Sequence, residues 1–312
     1  MRKSARIGIL GIVLLSFLLF GCSKKNEVIS VPYGTTCANI QMGNGRFAYG
    51  KDYLYYAGIG QIIEYDMRTG KVILLPAADG GIPSGLYLNG EYVCYTDGAA
   101  KAVRLDGKKE IDQFTRQGNC IRLYVEGQEA WYMDYVEENL YYRNLLSGEE
   151  RKIATGVLSY FVSEDLLYVV IKQNDVRRLY CADRQGTQLE AVDLAFEPIS
   201  VLVAGKTLYL AEKGSYQIHK LEQQVDMVIP VCGTYYQVLG DWLIYSDSTG
   251  FSEGYFPLKA FNTVTEESRL ITDWVFDFCV LEERYVCYDS REGAVAYYDW
   301  EKGNTVTVFP NE

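Results

Sequence analysis

The sequence predicts an all-β fold in which a four-stranded module is reiterated and closed into a ring, a β-propeller. Three observations carry that prediction. Tyrosine is heavily used, with 27 residues, proline is sparse at 7, and 29 glycines punctuate the chain, a balance that favours strands joined by tight turns over helices. Short aromatic and apolar runs are separated by Asn-Gly, Asp-Gly and Asp-x-x-x-Gly turn signals. The runs also recur. The last residues of the second-strand cores are Tyr56, Tyr95, Tyr132, Val169, Leu210, Tyr245 and Tyr288, separated by 39, 37, 37, 41, 35 and 43 residues. A period of about 39 is blade-sized, so the reading is seven four-stranded blades, with six or eight as the neighbouring counts. A β-sandwich or two smaller β domains is the competing architecture. A ring is favoured because it leaves few unpaired strand edges to recruit other chains.

The chain opens with the basic segment MRKSARIG, followed by an apolar stretch from Ile7 to Phe20 and the closing residues Leu19-Phe20-Gly21-Cys22. Fourteen apolar residues fall short of the roughly 18 needed to cross a bilayer, so residues 1–21 read as a signal peptide. The Leu-x-Gly-Cys ending resembles a bacterial lipobox. That resemblance implies lipid attachment, palmitate included, at Cys22 and a lipidated tether over 22–34 beginning Ser23-Lys24-Lys25; the repeats then assign 35–312 to a single propeller domain. Several acyl chains on one residue anchor stably where one does not. An ordinary signal peptide that ends near a cysteine is the alternative.

Thr35 to Met42 reads as an extra strand. The first full module is 43–75: Arg46 to Tyr49, Tyr53 to Ala57, Gln61 to Tyr65 and Lys71 to Leu75, with the turn Asp66-Met67-Arg68-Thr69-Gly70 before the last strand. The aspartate of that turn can accept from the backbone two residues on, and the glycine can take positive φ. Copy two turns at Asn89-Gly90 and Asp106-Gly107, copy three at Glu126-Gly127 and Asn144 to Gly148, copy four at Asp183 to Gly186. Copy five, around Ala204 to Leu210, has lost the Asp-x-x-x-Gly turn. Copy six, around Leu239 to Tyr245, has Asn262 to Glu266 in its place, and copy seven has Asp299 to Gly303.

The segment Asn44-Gly45-Arg46-Phe47-Ala48-Tyr49-Gly50-Lys51-Asp52-Tyr53-Leu54-Tyr55-Tyr56 resembles the repeats of bacterial exported β-propellers related to the YWTD propellers of low-density lipoprotein receptors. The resemblance spans about 40–309 and is clearest in the first, second and seventh copies. The YWTD tetrapeptide itself is absent. What the likeness implies is the fold, export and a binding role.

Lys and Arg number 30 against 41 Asp and Glu, a net charge of −11. Arg2, Lys3 and Arg6 are the charged residues of the first 21, so their removal takes the chain to −14. Such a surface repels phosphate backbones, which argues against nucleic-acid binding. The single histidine, His219, is expected on a solvated face opposite Ile218. It cannot build a multi-histidine metal site. No Gly-rich phosphate loop or zinc-type cysteine pair stands out, so no cofactor is expected. Beyond Cys22 there are Cys37, Cys94, Cys120, Cys181, Cys232, Cys279 and Cys287. Cys279 and Cys287 fall on adjacent strands, and export would permit a disulfide. The favoured reading of the set is small apolar residues packed between blades.

Glu137-Glu138, Glu149-Glu150, Glu266-Glu267 and Glu282-Glu283 invite a two-carboxylate glycosidase argument, but they sit at expected turns where solvated acids are ordinary. In a propeller the turns joining second to third strands share a face with the links between blades. On that face lie Asp97, Asp134, Asp175, Glu212, Asp247 and Asp289, an acidic mouth suited to cations, amines or a basic partner, or simply solubility charge. The loop Ser246 to Phe256 is longer than its counterparts. Asp247, Phe251, Tyr255 and Phe256 are the candidate ligand contacts. The function expected is a membrane-anchored, extracytoplasmic binding or protein-interaction platform without a reaction of its own, held by its N-terminal lipid and taking a protein, peptide or glycan ligand. The alternatives are a glycan-acting lyase or hydrolase of the cell envelope and an envelope-assembly scaffold.

Overall fold

The computed structural model describes residues 45–309 apart from 51, 78–81, 106–109, 112–119, 224, 251–255, 283 and 291–293. The signal segment, Cys22, the tether, Cys37, the strand expected at 35–42, Phe251 and Tyr255 lie outside the described residues. Among those described, regular structure is strand throughout except for one 3-10 turn at Ser248–Gly250.

Strands pair antiparallel in chain order in every sheet. Five sheets have four strands and the sixth has seven. The seven-stranded sheet is two blades sharing one long strand, Val225–Leu239: Cys232 still pairs with Gln217 of blade 5, and Gly233 already pairs with Asp247 of blade 6. Seven blades result, as the repeat predicts, over 47–76, 84–111, 120–154, 157–191, 198–232, 233–275 and 278–309. The lost turn of copy five and the shared strand have one cause. Glu222 pairs directly with Val225 across a two-residue turn, and the strand then runs on into blade 6 with no link. Gly233 allows the crossing, because a Cβ there would stand 3.0 Å from the Ser246 carbonyl oxygen.

The Asp-x-x-x-Gly turn has a physical explanation that repeats around the ring. Asp66 Oδ1 accepts from the Arg68 and Thr69 amides at 2.9 and 3.0 Å, and Gly70 N–H donates to the Asp66 carbonyl at 2.7 Å. Asn144, Asn262 and Asp299 each accept from the same two following positions. In all four the next residue donates to the turn between the first two strands: Met67 to Asp52, Leu145 to Gln128, Thr263 to Asp241 and Trp300 to Arg284. The two turn signals recur together because each satisfies the other's backbone.

Both faces of each blade are buried against a neighbour, and alternation divides the side chains between them. In blade 7, Cys279 and Cys287 join a cluster with Phe47 and Tyr56 of blade 1, while Val280 and Val286 join Ile244 and Leu258 of blade 6. Similar clusters join blades 1 and 2 and run on through blades 2 to 6, so the packing passes every junction and returns to its start. All four strands of blade 7 come from 278–309. Among the described residues, the ring therefore closes by side-chain packing rather than by a shared strand. Cys279 and Cys287 are directly paired in register, fully buried and free thiols, which agrees with the packed-residue reading.

His219 corrects one expectation. It is 6% exposed, not solvated: the blade is covered on both sides, so alternation does not assign a wet face. Phe196, from the link between blades 4 and 5, stacks on its ring at 3.7 Å, and Nδ1 lies 3.0 Å from both carboxylate oxygens of Asp226.

Candidate functional site

The innermost strands begin on the face that carries the second-to-third turns and the links between blades. Near that start the pairing register slips in each of blades 2 to 6. Such bulges bend a strand and re-aim its side chains. In blade 3 the bulge holds Arg122 at φ 49°, and counting back from the paired ends of the second strands puts Tyr235 of blade 6 at the equivalent position. Leu158 and Ile199 are the extra residues of blades 4 and 5.

Arg122 Nη1 donates to the Leu158 carbonyl at 2.6 Å, and the Tyr160 hydroxyl donates to the Arg122 carbonyl. No carboxylate of the described residues pairs with this guanidinium. Burial holds it below the ordinary arginine pKa, and the titratable groups that act on it are Tyr160 and Tyr235. Arg122 and Tyr235 thus occupy equivalent positions on the innermost strands of two blades that are not neighbours in the ring. Among the described residues, the bulge positions at this end of the innermost strands hold Arg122, Tyr235, which is 43% exposed, and the half-buried Leu158 and Ile199.

The acids expected to make this mouth negative are committed elsewhere. Asp97 pairs with Lys101 at 2.8 Å, Asp175 with Lys172 at 3.1 Å, Asp247 with Lys259 at 2.6 Å and Asp289 with Arg46 at 2.6 Å. Asp134 caps the amides of Val136 and Glu137, and Glu212 accepts from Ser215. Asp247 also accepts from the Thr249 amide and hydroxyl. Burial raises its pKa, but these hydrogen bonds and Lys259 hold it below the usual carboxyl value. Phe256 is half-buried on a strand, opposite Val275. Asp247 and Phe256 are therefore tied into blade 6.

Exposed apolar side chains mark the same face. Ile59, Tyr135, Val136 and Tyr216 lie in second-to-third turns, and Ile82 and Phe276 in links between blades; Tyr135 and Val136 are 70% and 67% exposed. The opposite face has Leu146 and Val264 in its turns. Between blades 4 and 5 a groove of about 870 Å³ opens, lined by Arg177, Leu194, Phe196, Glu197, Glu212 and Lys213 among others. Lys213 bridges it, pairing with Glu197 at 2.9 Å. Arg122 carried a sequence signal: it is a lone charge inside the apolar run Cys120-Ile121-Arg122-Leu123-Tyr124-Val125.

The arrangement defines the class of protein as a β-propeller with its open face around the axis. Solved structures share that fold. The N-terminal domain of Nup159 matches with a TM-score of 0.56 and 11% identity over 86% of this chain and 97% of that one. The C-terminal WD40 domain of Sif2 matches at 0.56 and 12% over 88% and 83%, and BamB from Moraxella catarrhalis at 0.51 and 13% over 89% and 90%. No protein-family model matches the chain, and none of the curated proteins matches it by sequence.

Proposed function

We propose that this protein is a binding platform of the bacterial cell envelope, without a reaction of its own: an extracytoplasmic propeller, held to the membrane by lipid on Cys22, that receives a protein, peptide or glycan ligand on its loop face. One observation carries the reading. Exposed apolar groups gather in the turns and links of that face, while its acids are neutralised or hydrogen-bonded in place. Large exposed apolar residues beside polar ones are what interfaces are made of. Propellers of this fold do act in assemblies: the Nup159 domain has been solved with Dbp5 bound to it, and a chain of the mitotic checkpoint complex has the same fold.

The enzyme reading, a lyase or hydrolase on envelope glycans, draws support from the neighbouring buried Asp277 and Asp289, whose backbones are hydrogen-bonded at 3.1 Å. Asp289 is engaged by Arg46, which fits ring closure better than proton transfer. An envelope-assembly scaffold is a special case of the platform and differs only in partner.

Affinity capture from native membranes tests the reading. Tyr135→Ser with Val136→Ser on the loop face should reduce the captured partner by about tenfold. Leu146→Ser with Val264→Ser on the opposite face should leave capture intact. Equal capture by both variants would remove the loop face from consideration.

A further inference from the structure

We propose that the mouth of the propeller axis binds an organic carboxylate, with Arg122 as its counter-ion. The inference rests on the reading of the loop face as the binding face and names the chemistry the axis would accept. The guanidinium has five N–H groups, and among the described residues one of them is used, by the Leu158 carbonyl. Asp97, Asp134, Asp175, Glu212, Asp247 and Asp289 each have a partner of their own, and no carboxylate of the described residues pairs with Arg122. A half-buried guanidinium with most of its N–H groups unused by the described residues is placed to pair with an anion from solution.

The bulge explains how the group is presented. A non-glycine residue at φ 49° is strained, and blade 2 has Gly85 at φ 60° in the equivalent position. A structural contact to Leu158 alone would need only one N–H. Tyr235, at the equivalent bulge of blade 6 and 43% exposed, has a hydroxyl that can donate a second hydrogen bond to a bound oxygen. Leu158 and Ile199 supply apolar contact beside it.

The ligand is a monoanion for an electrostatic reason. One cation balances one carboxylate, whereas a phosphate dianion would leave an excess negative charge inside a protein of net charge −11. The carboxylate can belong to a chain terminus or to an acidic side chain, and both present the same planar pair of oxygens to the guanidinium fork.

Isothermal titration calorimetry on the intact chain tests this with N-acetyl-leucine, its uncharged amide, and a blocked peptide carrying one glutamate between leucines. Saturable binding of N-acetyl-leucine alone identifies a chain terminus, and binding of the blocked peptide identifies a side chain. In either case the amide should bind at least about tenfold more weakly. Arg122→Gln should lose binding by a similar factor, and Arg68→Gln, in an exposed turn, should not. If Arg122→Gln does not fold, Arg122→Lys keeps the cation without its fork and should weaken binding. The carboxylate-against-amide comparison needs no variant. The proposal is overturned if neither carboxylate saturates the protein by about 10 mM, if the amide binds equally, or if Arg122→Gln binds like the parent. Loss of carboxylate binding with partner capture still sensitive to Tyr135 and Val136 would defeat the axial site and leave the platform standing.

Discussion

Arg46 and Asp289 meet at the last junction of the ring, between the entry to blade 1 and the second strand of blade 7. Their ion pair is 2.6 Å long. Arg46 also donates to the Tyr56 hydroxyl and, at 3.2 Å, to the Ala57 carbonyl, with its guanidinium 4.7 Å from the Tyr56 ring centre. Both charges are largely withdrawn from water, so removing one strands the other. Arg46→Met should cost about 3 kcal/mol in urea unfolding. The pH dependence follows from Asp289, whose pKa burial raises against the opposing pull of Arg46. A folded pKa above the unfolded one gives stability that is full below the unfolded value of about 3.9 and is lost as pH rises through the folded value. Without Arg46 the folded value rises further. The variant should therefore lose more stability than the parent between about pH 4 and pH 7, and parallel slopes would show that the pair is not coupled.

The turn between third and fourth strands is the unit that makes a blade recognisable. Its first residue needs a side-chain oxygen and its fifth needs positive φ, which Gly70, Gly148 and Gly303 supply at 74°, 74° and 67°. Glu266 holds the same place in blade 6 at φ 60° with a Cβ that the conformation disfavours. Glu266→Gly relieves a left-handed conformation costing roughly 1–2 kcal/mol, less about 0.5–1 kcal/mol for glycine's greater entropy, and should stabilise the protein by roughly 0.5–1 kcal/mol, read as a raised thermal midpoint. Asn144→Ala removes the acceptor for the Leu146 and Ser147 amides and should cost about 1 kcal/mol. Asn144→Asp should be silent at neutral pH, since Asp66 and Asp299 already serve in that position. Where aspartate serves, acid matters: Thr69 lowers the pKa of Asp66, and Thr187 that of Asp183. Their depressed values contribute stability that is present above about pH 3.9 and is lost as pH falls through them. Asp66→Asn with Asp183→Asn should thus shift the acid-unfolding midpoint measured by circular dichroism to lower pH.

Around the whole ring, each blade buries two faces against its neighbours, so no blade can keep its faces dry alone. Ending the chain at 277 would expose the faces of blades 6 and 1 that pack on blade 7, and the expected product is aggregated protein rather than a six-bladed ring. The proposed anchor has an independent check: Cys22→Ser should abolish metabolic labelling with palmitate and release the protein from membranes, and undiminished label would refute lipidation there.

Much of this architecture was legible in the chain. Turn chemistry is local: an Asp or Asn oxygen reaches amides two and three residues on, so Asp66, Asn144 and Asp299 announced their turns wherever they would end up in space. Alternating burial was less readable, because with both blade faces covered His219 had no wet side to be assigned to. The acids of the loop face were legible, but not the partners that neutralise them. Asp97 and Asp247 can be seen in the sequence, but the lysines that neutralise them, Lys101 and Lys259, become partners only through strand pairing.

What the sequence by itself determined is the module, its sevenfold repetition and the turns that mark it, since these depend on forces acting within a few residues. What only the tertiary structure decided is which charges meet. Arg46 finds Asp289 from 243 residues away, and Arg122 is left without a carboxylate partner among the described residues, because Coulomb pairing and desolvation depend on distances that closure of the ring alone creates.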